Sequence, residues 1–373
     1  MAPTQEALYD DIDLDLSWSE RELPERERTK HVHRLHPYLG KFVPQLVEVL
    51  LERHVATGGH VLDPFAGSGT TLVQALESGR NATGSDVAAF NALLMRVKTR
   101  RYDLTSLGAE LRDAIARLDA FEATTPPPGA NAYVIDWFAP AAAAELLAFR
   151  ALLDEYEHSD VLRVVLSRAA RSARRTSHFD LDFPRAPQLE PYWCYKHRRT
   201  CRPVEQARHF LRRYALDTLA RITQFGQVRA RGREAAVVHG DARELAWEGR
   251  FDGIVTSPPY PGLIDYHEQH RYAYELLGLD DRRERELGAA AFGTARAAVE
   301  AYSAGIAAVL SNARGSLKRG APVVIVVHDR RDLYPAILER AGLTLEERYR
   351  RHVNRRTGRR AGEFFEDVIV ARA

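Results

Sequence analysis

The sequence predicts an α/β fold: a doubly wound, mostly parallel sheet with a helical, basic insertion. Three observations predict it. Short apolar runs alternate with helix-period segments at both ends of the chain. Several of these runs end on an acid or a glycine-rich turn, as strands do where an open α/β sheet meets its ligand. Between the two ends lies a long stretch with helical period and no strand pattern.

Residues 1–30 hold 9 acids and 4 bases and read as a polar lead-in with little core to offer. Residues 44–54 (PQLVEVLLERH) have the spacing of an amphipathic helix. His60-Val-Leu-Asp-Pro is a short strand, followed by a glycine-rich turn and a helix over 71–77. A second strand spans 81–87 and a helix spans 90–98. Residues 104–124 and 138–175 read as Ala- and Leu-rich helices, parted by the loop TTPPPG at 124–129. Residues 176–203 are aromatic, proline-rich and basic, with no period, and a helix follows at 204–224. Strands then resume at 236–239, 251–256 and 322–328, the last an unbroken apolar run suited to a strand buried on both faces. Residues 365–371 close the sheet. The simplest organisation is one domain from 31–103 and 235–373, with 104–234 inserted into it.

Composition narrows the function. The chain of 373 residues is 45% hydrophobic and 28% charged, which suits a soluble globular protein. No run approaches the roughly 18 apolar residues of a membrane helix, so no membrane partner is expected. The acidic N-terminus lacks the apolar core of a secretory leader. Two cysteines exclude a disulfide framework, and a reducing cytoplasm is the expected location. The net charge of +2 conceals an asymmetry: residues 161–234 hold 17 bases and 6 acids. Only five of the 53 basic residues are lysine, but an arginine-rich composition does not by itself cluster charge. The cluster suits a polyanion such as nucleic acid.

Four strand ends carry candidate chemistry. Asp63-Pro64-Phe65-Ala66-Gly67-Ser68-Gly69-Thr70 joins a strand to a helix. Its glycines let backbone approach a ligand, and the helix start beyond favours negative charge. No Gly-Lys-Ser/Thr follows, so it is not a P-loop, and the third glycine of the dinucleotide fingerprint is missing. Asp86 ends the next strand about 20 residues on, where an acid binds ribose hydroxyls or caps the next helix. Asp241 and Ala242 follow the strand at 236–239; Asp241 is placed to accept from an adenine amine or to cap a turn. Thr256-Ser257-Pro258-Pro259-Tyr260 is the most specific signal. Its two stiff prolines aim carbonyls outward, beside a hydroxyl and an aromatic face. Such a loop can grip a flat group with an exocyclic amine, as an enzyme acting on a flipped base requires.

Together these segments resemble the amino-group DNA methyltransferases. Asp63–Thr70 is similar to that family's S-adenosylmethionine-binding motif, and Ser257–Tyr260 to its catalytic [DNS]-P-P-[YFW] motif. The segment His36-Pro-Tyr38-Leu-Gly-Lys-Phe42-Val-Pro resembles the one that closes over the methionine end of the cofactor. Gly84-Ser-Asp86, Asn91 and the MRVKT run fit as well. The likeness covers about 31–100 and 236–373. It implies a Rossmann-like methyltransferase sheet and S-adenosyl-L-methionine as cofactor, with Asp86 on the ribose and Asp241 near the adenine. It also implies a flipped base stacked on Tyr260, its amine held by the Ser257 hydroxyl and the Pro258 carbonyl. Within the family S-P-P-Y is more typical of cytosine-N4 enzymes, whereas adenine-N6 enzymes more often carry D-P-P-Y or N-P-P-Y. The expectation is therefore N4 methylation of cytosine in duplex DNA. The alternatives are N6-adenine methylation, an RNA amino-group methyltransferase and an idle nucleic-acid-binding module. A cognate restriction endonuclease is a candidate partner.

The insertion lies between the second and third strands, not where common permuted classes place a target-recognition domain. Arg171, Arg174, Arg175, Lys196, Arg198, Arg199 and Arg202 are its candidates for phosphate contact, with Tyr192, Trp193 and Tyr195 to stack or wedge. The alternative is a solvated basic face over an aromatic mini-core. The run from Arg350 to Arg360 is expected in a hairpin before the last strand. Cys194-x2-His197-x3-Cys201 offers three metal ligands with no fourth evident, so no metal is expected. His267-Glu-Gln-His270 is not the H-E-x-x-H zinc motif, and Asp265, Tyr266 and His267 are candidates to line a base pocket or start a helix.

Overall fold

The computed structural model describes residues 16–18, 22–178, 184–353 and 364–373. The chain divides into two compact units: Met1–Thr99, Val228–Asp265 and Arg282–Ala373 form one, Arg100–Gln227 and Tyr266–Asp281 the other. In chain order the first unit begins α1 (Glu25–Arg28), α2 (Pro44–His54), β1 (His60–Asp63), α3 (Thr70–Glu77), β2 (Asn81–Asp86) and α4 (Ala89–Thr99). The second supplies α5 (Leu104–Asp119), α6 (Ala132–Trp137), α7 (Pro140–Ala151), α8 (Ser159–Ala173), β3 (Tyr192–Cys194), β4 (Arg199–Cys201) and α9 (Arg208–Val228). β5 (Ala235–His239) and β6 (Gly253–Thr256) return to the first unit, and α10 (Tyr266–Gln269) and α11 (Arg271–Leu277) belong to the second. α12 (Arg296–Arg314), β7 (Pro322–Val327), α13 (Tyr334–Arg340), β8 (Thr344–His352) and β9 (Phe365–Arg372) complete the first.

The first unit is built on a seven-stranded sheet of order β5-β2-β1-β6-β7-β9-β8. Pairing is parallel from β5 through β7, and β9 lies antiparallel to both its neighbours. Alternate residues of the strands feed opposite faces. Val61, Val255, Val324, Val326 and Val368 pack with Leu46, Leu50 and Leu51 of α2 and Leu72 of α3. Leu62, Ile254, Val323, Ile325 and Ile369 pack with Ile306 and Leu310 of α12 and Ile337 of α13. Each such side chain contributes about 1.5–3 kcal/mol of burial, which is why the short strands hold despite their length. Strand order reverses between β1 and β6, so the carboxyl ends of these two strands form the crevice where doubly wound sheets bind ligands.

Four expectations need correction. The lead-in is not without core, because Leu16 is fully buried and Trp18 packs against the α2 face; residues 1–15 and 19–21 lie outside the described residues. The helical reading of 138–175 resolves into α7 and α8, separated where a short 3-10 turn at Leu153–Glu155 intervenes. β8 was not expected over its full length. It is an edge strand with a largely exposed, charged sequence (TLEERYRRH), so it lacks the apolar alternation that marks a half-buried strand. Arg350 and Arg351 lie on it, while 354–360 fall outside the described residues. Last, Tyr266–Asp281 joins the inserted unit and not the sheet. There Tyr272 of α11 is buried beneath the Arg174 guanidinium, 4.4 Å from its ring. His267 is also fully buried in that unit, in the first turn of α10. Among the described residues no helix is long and apolar enough to cross a membrane.

Candidate active site

At the switch point, Asp63 ends β1 and Thr256 ends β6. The Thr256 hydroxyl donates to Asp63 Oδ1 over 2.6 Å, and the Phe65 amide donates to the same oxygen over 3.1 Å. The glycine loop and the S-P-P-Y loop therefore spring from one buried hydrogen-bonded pair. Asp63 is 2% exposed. Burial pushes its carboxyl up to about 6, against the smaller opposing effect of its hydrogen bonds. The sequence could place Asp63 at a strand end but not reveal its partner, which lies far away in the chain.

The loop after Asp63 takes the shape its glycines permit. Gly67 and Gly69 have φ of +51° and +81°, in the left-handed region. A Cβ on Gly67 would lie 2.9 Å from the Tyr38 hydroxyl, and one on Gly69 would lie 2.9 Å from Met95 Cγ. Tyr38 thus rests on the loop, where Asn91 Nδ2 donates to its hydroxyl over 3.1 Å. His36 is buried and meets the Phe90 ring edge-on at 4.9 Å. Phe42 is partly buried against the apolar cluster that holds the α2 face and Ala66 of the glycine loop. Asp86, at the end of β2, accepts the Gly67 amide at 3.0 Å and the Ala88 amide at 2.8 Å. One strand-end carboxylate therefore ties the glycine loop to the start of α4.

Lys98 was not singled out from the sequence beyond its place in the MRVKT run. It is buried on α4, and its Nζ donates to the Ser68 carbonyl over 2.5 Å. Burial holds its ammonium well below the usual lysine range. A lysine among apolar residues of an otherwise buried helix was the available signal.

The Ser257–Tyr260 loop leaves β6. The Tyr260 hydroxyl donates to Glu366 Oε1 on β9 over 2.8 Å, and its ring lies 6.2 Å from that of His328. Burial, followed by the Glu366 carboxylate, drives its phenol well above the usual range, so it stays neutral. Next to it, His328 leads into a cavity of about 240 Å³ lined by Asp329, Arg330, Arg350, Phe364, Phe365 and Asp367. Phe364 faces His328 at 4.1 Å between ring centroids. Glu366, His328 and Phe364 had no local signature, because each matters only through a neighbour from another strand.

Two features fit a bound nucleoside-like cofactor. Thr70 Oγ1, at the start of α3, and Asn91 Oδ1 are buried with no hydrogen-bond partner among the described residues; Thr70 ends the glycine loop, and Asn91 holds Tyr38 over it. Asp241 follows β5 as expected, with Ala242 buried behind it. Its two oxygens, however, are clamped by Arg243, with Nε at 2.9 and 3.1 Å and Nη2 at 2.5 Å. The turn reading of this acid is thus the better fit.

The basic candidates separate. Lys196, Arg198, Arg199 and Arg202 are exposed on or beside the β3–β4 hairpin, with Trp193 and Tyr195. Arg171 and Arg175 are half-buried near the end of α8. Arg174 is corrected: at 3% exposed and set over Tyr272, it is a packed cation and not a phosphate contact. The hairpin also brings His178 beside Cys194, His197 and Cys201, a fourth ligand that the sequence did not reveal.

Comparison with known proteins shows the family. Residues 6–113 match the model of a DNA methylase family of N6 and N4 methyltransferases. The Type II methyltransferase M.MjaII of Methanocaldococcus jannaschii is 34% identical, over 98% of this chain and 84% of that protein. The Type II methyltransferase M.MvaI of Kocuria varians is 22% identical, over 61% of this chain and 53% of that protein. Among solved structures, the rRNA methyltransferase aviRa of Streptomyces viridochromogenes is 13% identical, with a TM-score of 0.35 over 91% of this chain and 88% of that chain.

Proposed function

The chain belongs to the DNA methylase family of N6 and N4 methyltransferases, and from that premise we propose that it methylates the N4 amine of a cytosine flipped out of duplex DNA. S-adenosylmethionine is the methyl donor of this family. The observation that carries the reading is the Thr256–Asp63 hydrogen bond, which sets the S-P-P-Y loop beside the glycine loop at the switch point. The serine at the head of S-P-P-Y favours cytosine N4 over adenine N6.

Each residue then has a role. The Asp63–Thr70 loop and the His36–Tyr38 segment enclose the methionine part of the cofactor, and Asp86 meets the ribose while holding Gly67. Asp241, occupied by Arg243, shapes the rim near the adenine. When bound, S-adenosylmethionine supplies an electrophilic methyl group. The Ser257 hydroxyl and Pro258 carbonyl hold the base amine, drawing its lone pair out of conjugation with the ring. They would aim that pair at the methyl group the bound donor supplies, and the amine's spare proton would leave to water. The Tyr260 ring, fixed through its hydroxyl to Glu366, offers the face on which the base stacks, with the His328–Phe364 cavity next to it. Positioning and fixed dipoles do most of the catalysis. Lys196, Arg198, Arg199 and Arg202 contact DNA phosphates, with Arg171 and Arg175 as further contacts. A cognate restriction endonuclease is the partner that the type II relatives suggest.

The test is transfer from labelled S-adenosylmethionine to duplex DNA and to RNA, with mass spectrometry of the digested nucleosides. N4-methylcytosine in DNA is the expected product. N6-methyladenine would overturn the choice of base and keep the site; label in RNA alone would overturn the substrate.

A further inference from the structure

We propose that His178, Cys194, His197 and Cys201 form a tetrahedral zinc site that staples the β3–β4 hairpin to the segment following α8. All four ligand atoms lie within 4.8 Å of one another. Cys194 Sγ is 3.5 Å from His178 Nδ1 and 3.6 Å from His197 Nδ1, and Cys201 Sγ is 3.5 Å from His197 Nδ1. Zinc bonds of about 2.3 Å to sulfur and about 2.0–2.1 Å to nitrogen, at tetrahedral angles, separate sulfur from nitrogen by about 3.5–3.6 Å. The two sets of distances coincide. Two thiolates and two imidazoles are also the donor set that selects zinc among common cations.

Hydrogen bonding alone accounts for the cluster poorly. His197 Nδ1 faces both sulfurs, yet one ring nitrogen has a single lone pair or a single proton. Cys194 Sγ likewise faces two ring nitrogens. The rings of His178 and His197 meet edge-on, 4.5 Å apart and 67° between planes, which brings both Nδ1 atoms inward. Register places the ligands. Tyr192 pairs with Cys201 and Cys194 with Arg199, so both cysteines lie on one face of the hairpin while Trp193 and Thr200 take the other. Arg198, with φ of +51°, makes the tight turn that returns β4. Tyr192 positions the remote ligand, its hydroxyl accepting the His178 amide at 3.0 Å. The same hydroxyl is 3.0 Å from His178 Nδ1, and its hydrogen turns away when that nitrogen binds metal.

The hairpin needs such a staple. Its strands are three residues each, and its large side chains Trp193 and Tyr195 are exposed. A two-stranded ribbon without an apolar face is marginal in water. Held by metal, it presents Tyr195, Lys196, Arg198 and Arg199, which on the reading above face DNA.

The test uses the full chain purified without chelator. Elemental analysis should find one zinc per chain, retained through dialysis and lost from the Cys194→Ser/Cys201→Ser double variant. Cobalt substitution should give the visible absorption of a tetrahedral thiolate-bound ion. Thiol alkylation of the unmodified protein needs no variant: both cysteines should react slowly until a strong chelator is added, then at least tenfold faster. Wild-type protein no richer in zinc than the variant, equal alkylation with and without chelator, or a Cys194–Cys201 disulfide in freshly purified protein would each overturn the site. None of these readouts depends on methyl transfer, so a wrong choice of base or nucleic acid would leave the result intact.

Discussion

The carboxyl ends of β1 and β5 look alike in sequence: an acid stands at the end of one strand and two residues past the end of the other. Their environments differ. Asp63 is buried against the sheet and receives a hydroxyl and an amide, and among the described residues no cation contributes to its shift. Asp241 is clamped by Arg243, with Arg285 Nη1 3.6 Å away. Burial drives the Asp63 carboxyl up; burial also pushes Asp241 up, but the Arg243 hydrogen bonds and the Arg243 and Arg285 charges together hold it below its usual range. Asp86, between them in the sheet, serves backbone amides instead. A strand-end acid is thus a position in the crevice, and its neighbours decide its chemistry.

The largest expected effect tests Asp63. It ionises near 3.8 when unfolded and near 6 in the folded protein. Across that window the folded state holds the extra proton, so stability falls as pH rises from about 4 to about 6 and stays lower above. The shift corresponds to roughly 3 kcal/mol. Asp63→Asn should therefore raise thermal stability at neutral pH by up to about 3 kcal/mol, with the gain vanishing below about pH 4, while methyl transfer declines. Thermal melts across pH would read this, and an asparagine variant less stable at neutral pH would show that the carboxylate's hydrogen bonds outweigh its burial.

Next comes the end of β6. Tyr260→Ala should lower kcat about 100-fold, since stacking is worth about 1–3 kcal/mol per base, and leave cofactor affinity within a few-fold. Tyr260→Phe keeps the ring and loses the hydroxyl's bonds to Glu366 and Ser257, so about tenfold is the expected effect. Equal loss of cofactor binding in the alanine variant would contradict its placement at the base.

Asp86→Ala removes acceptors for two loop amides and the proposed ribose contact. Cofactor Kd should rise roughly 10- to 100-fold by calorimetry, with kcat recovered at saturating cofactor. Persistent loss of kcat at saturation would move Asp86 from binding to catalysis. The smallest effect is expected at β5. Asp241→Asn should change cofactor Kd by less than about threefold, because Arg243 already occupies both carboxylate oxygens. A loss as large as that of Asp86→Ala would erase the contrast and restore Asp241 as the adenine acceptor.

Much of the fold was legible. Helix α2 matches its expected bounds, and every parallel strand lies within a residue or two of its expected bounds. These segments bury one face or both, and burial writes a period into the sequence. Edge strand β8 left no period because charged side chains can face water on it. The short hairpin left none because each strand has three residues. Of the site, the glycine loop and S-P-P-Y were legible because backbone conformation constrains residue type locally: Gly67 and Gly69 adopt positive φ, and two prolines stiffen a loop.

The sequence by itself determined the doubly wound order of elements, the family and the strand ends that carry chemistry. All of these rest on local rules of period, turn and motif. Tertiary structure alone decided which partner each of those groups meets. It joined Thr256 to Asp63, Glu366 to Tyr260, Lys98 to Ser68 and His178 to the two cysteines. It also turned Arg174 from a surface charge into a packed one. Hydrogen bonds and burial act between atoms close in space, and the chain brings those atoms together only when the sheet and its connections close.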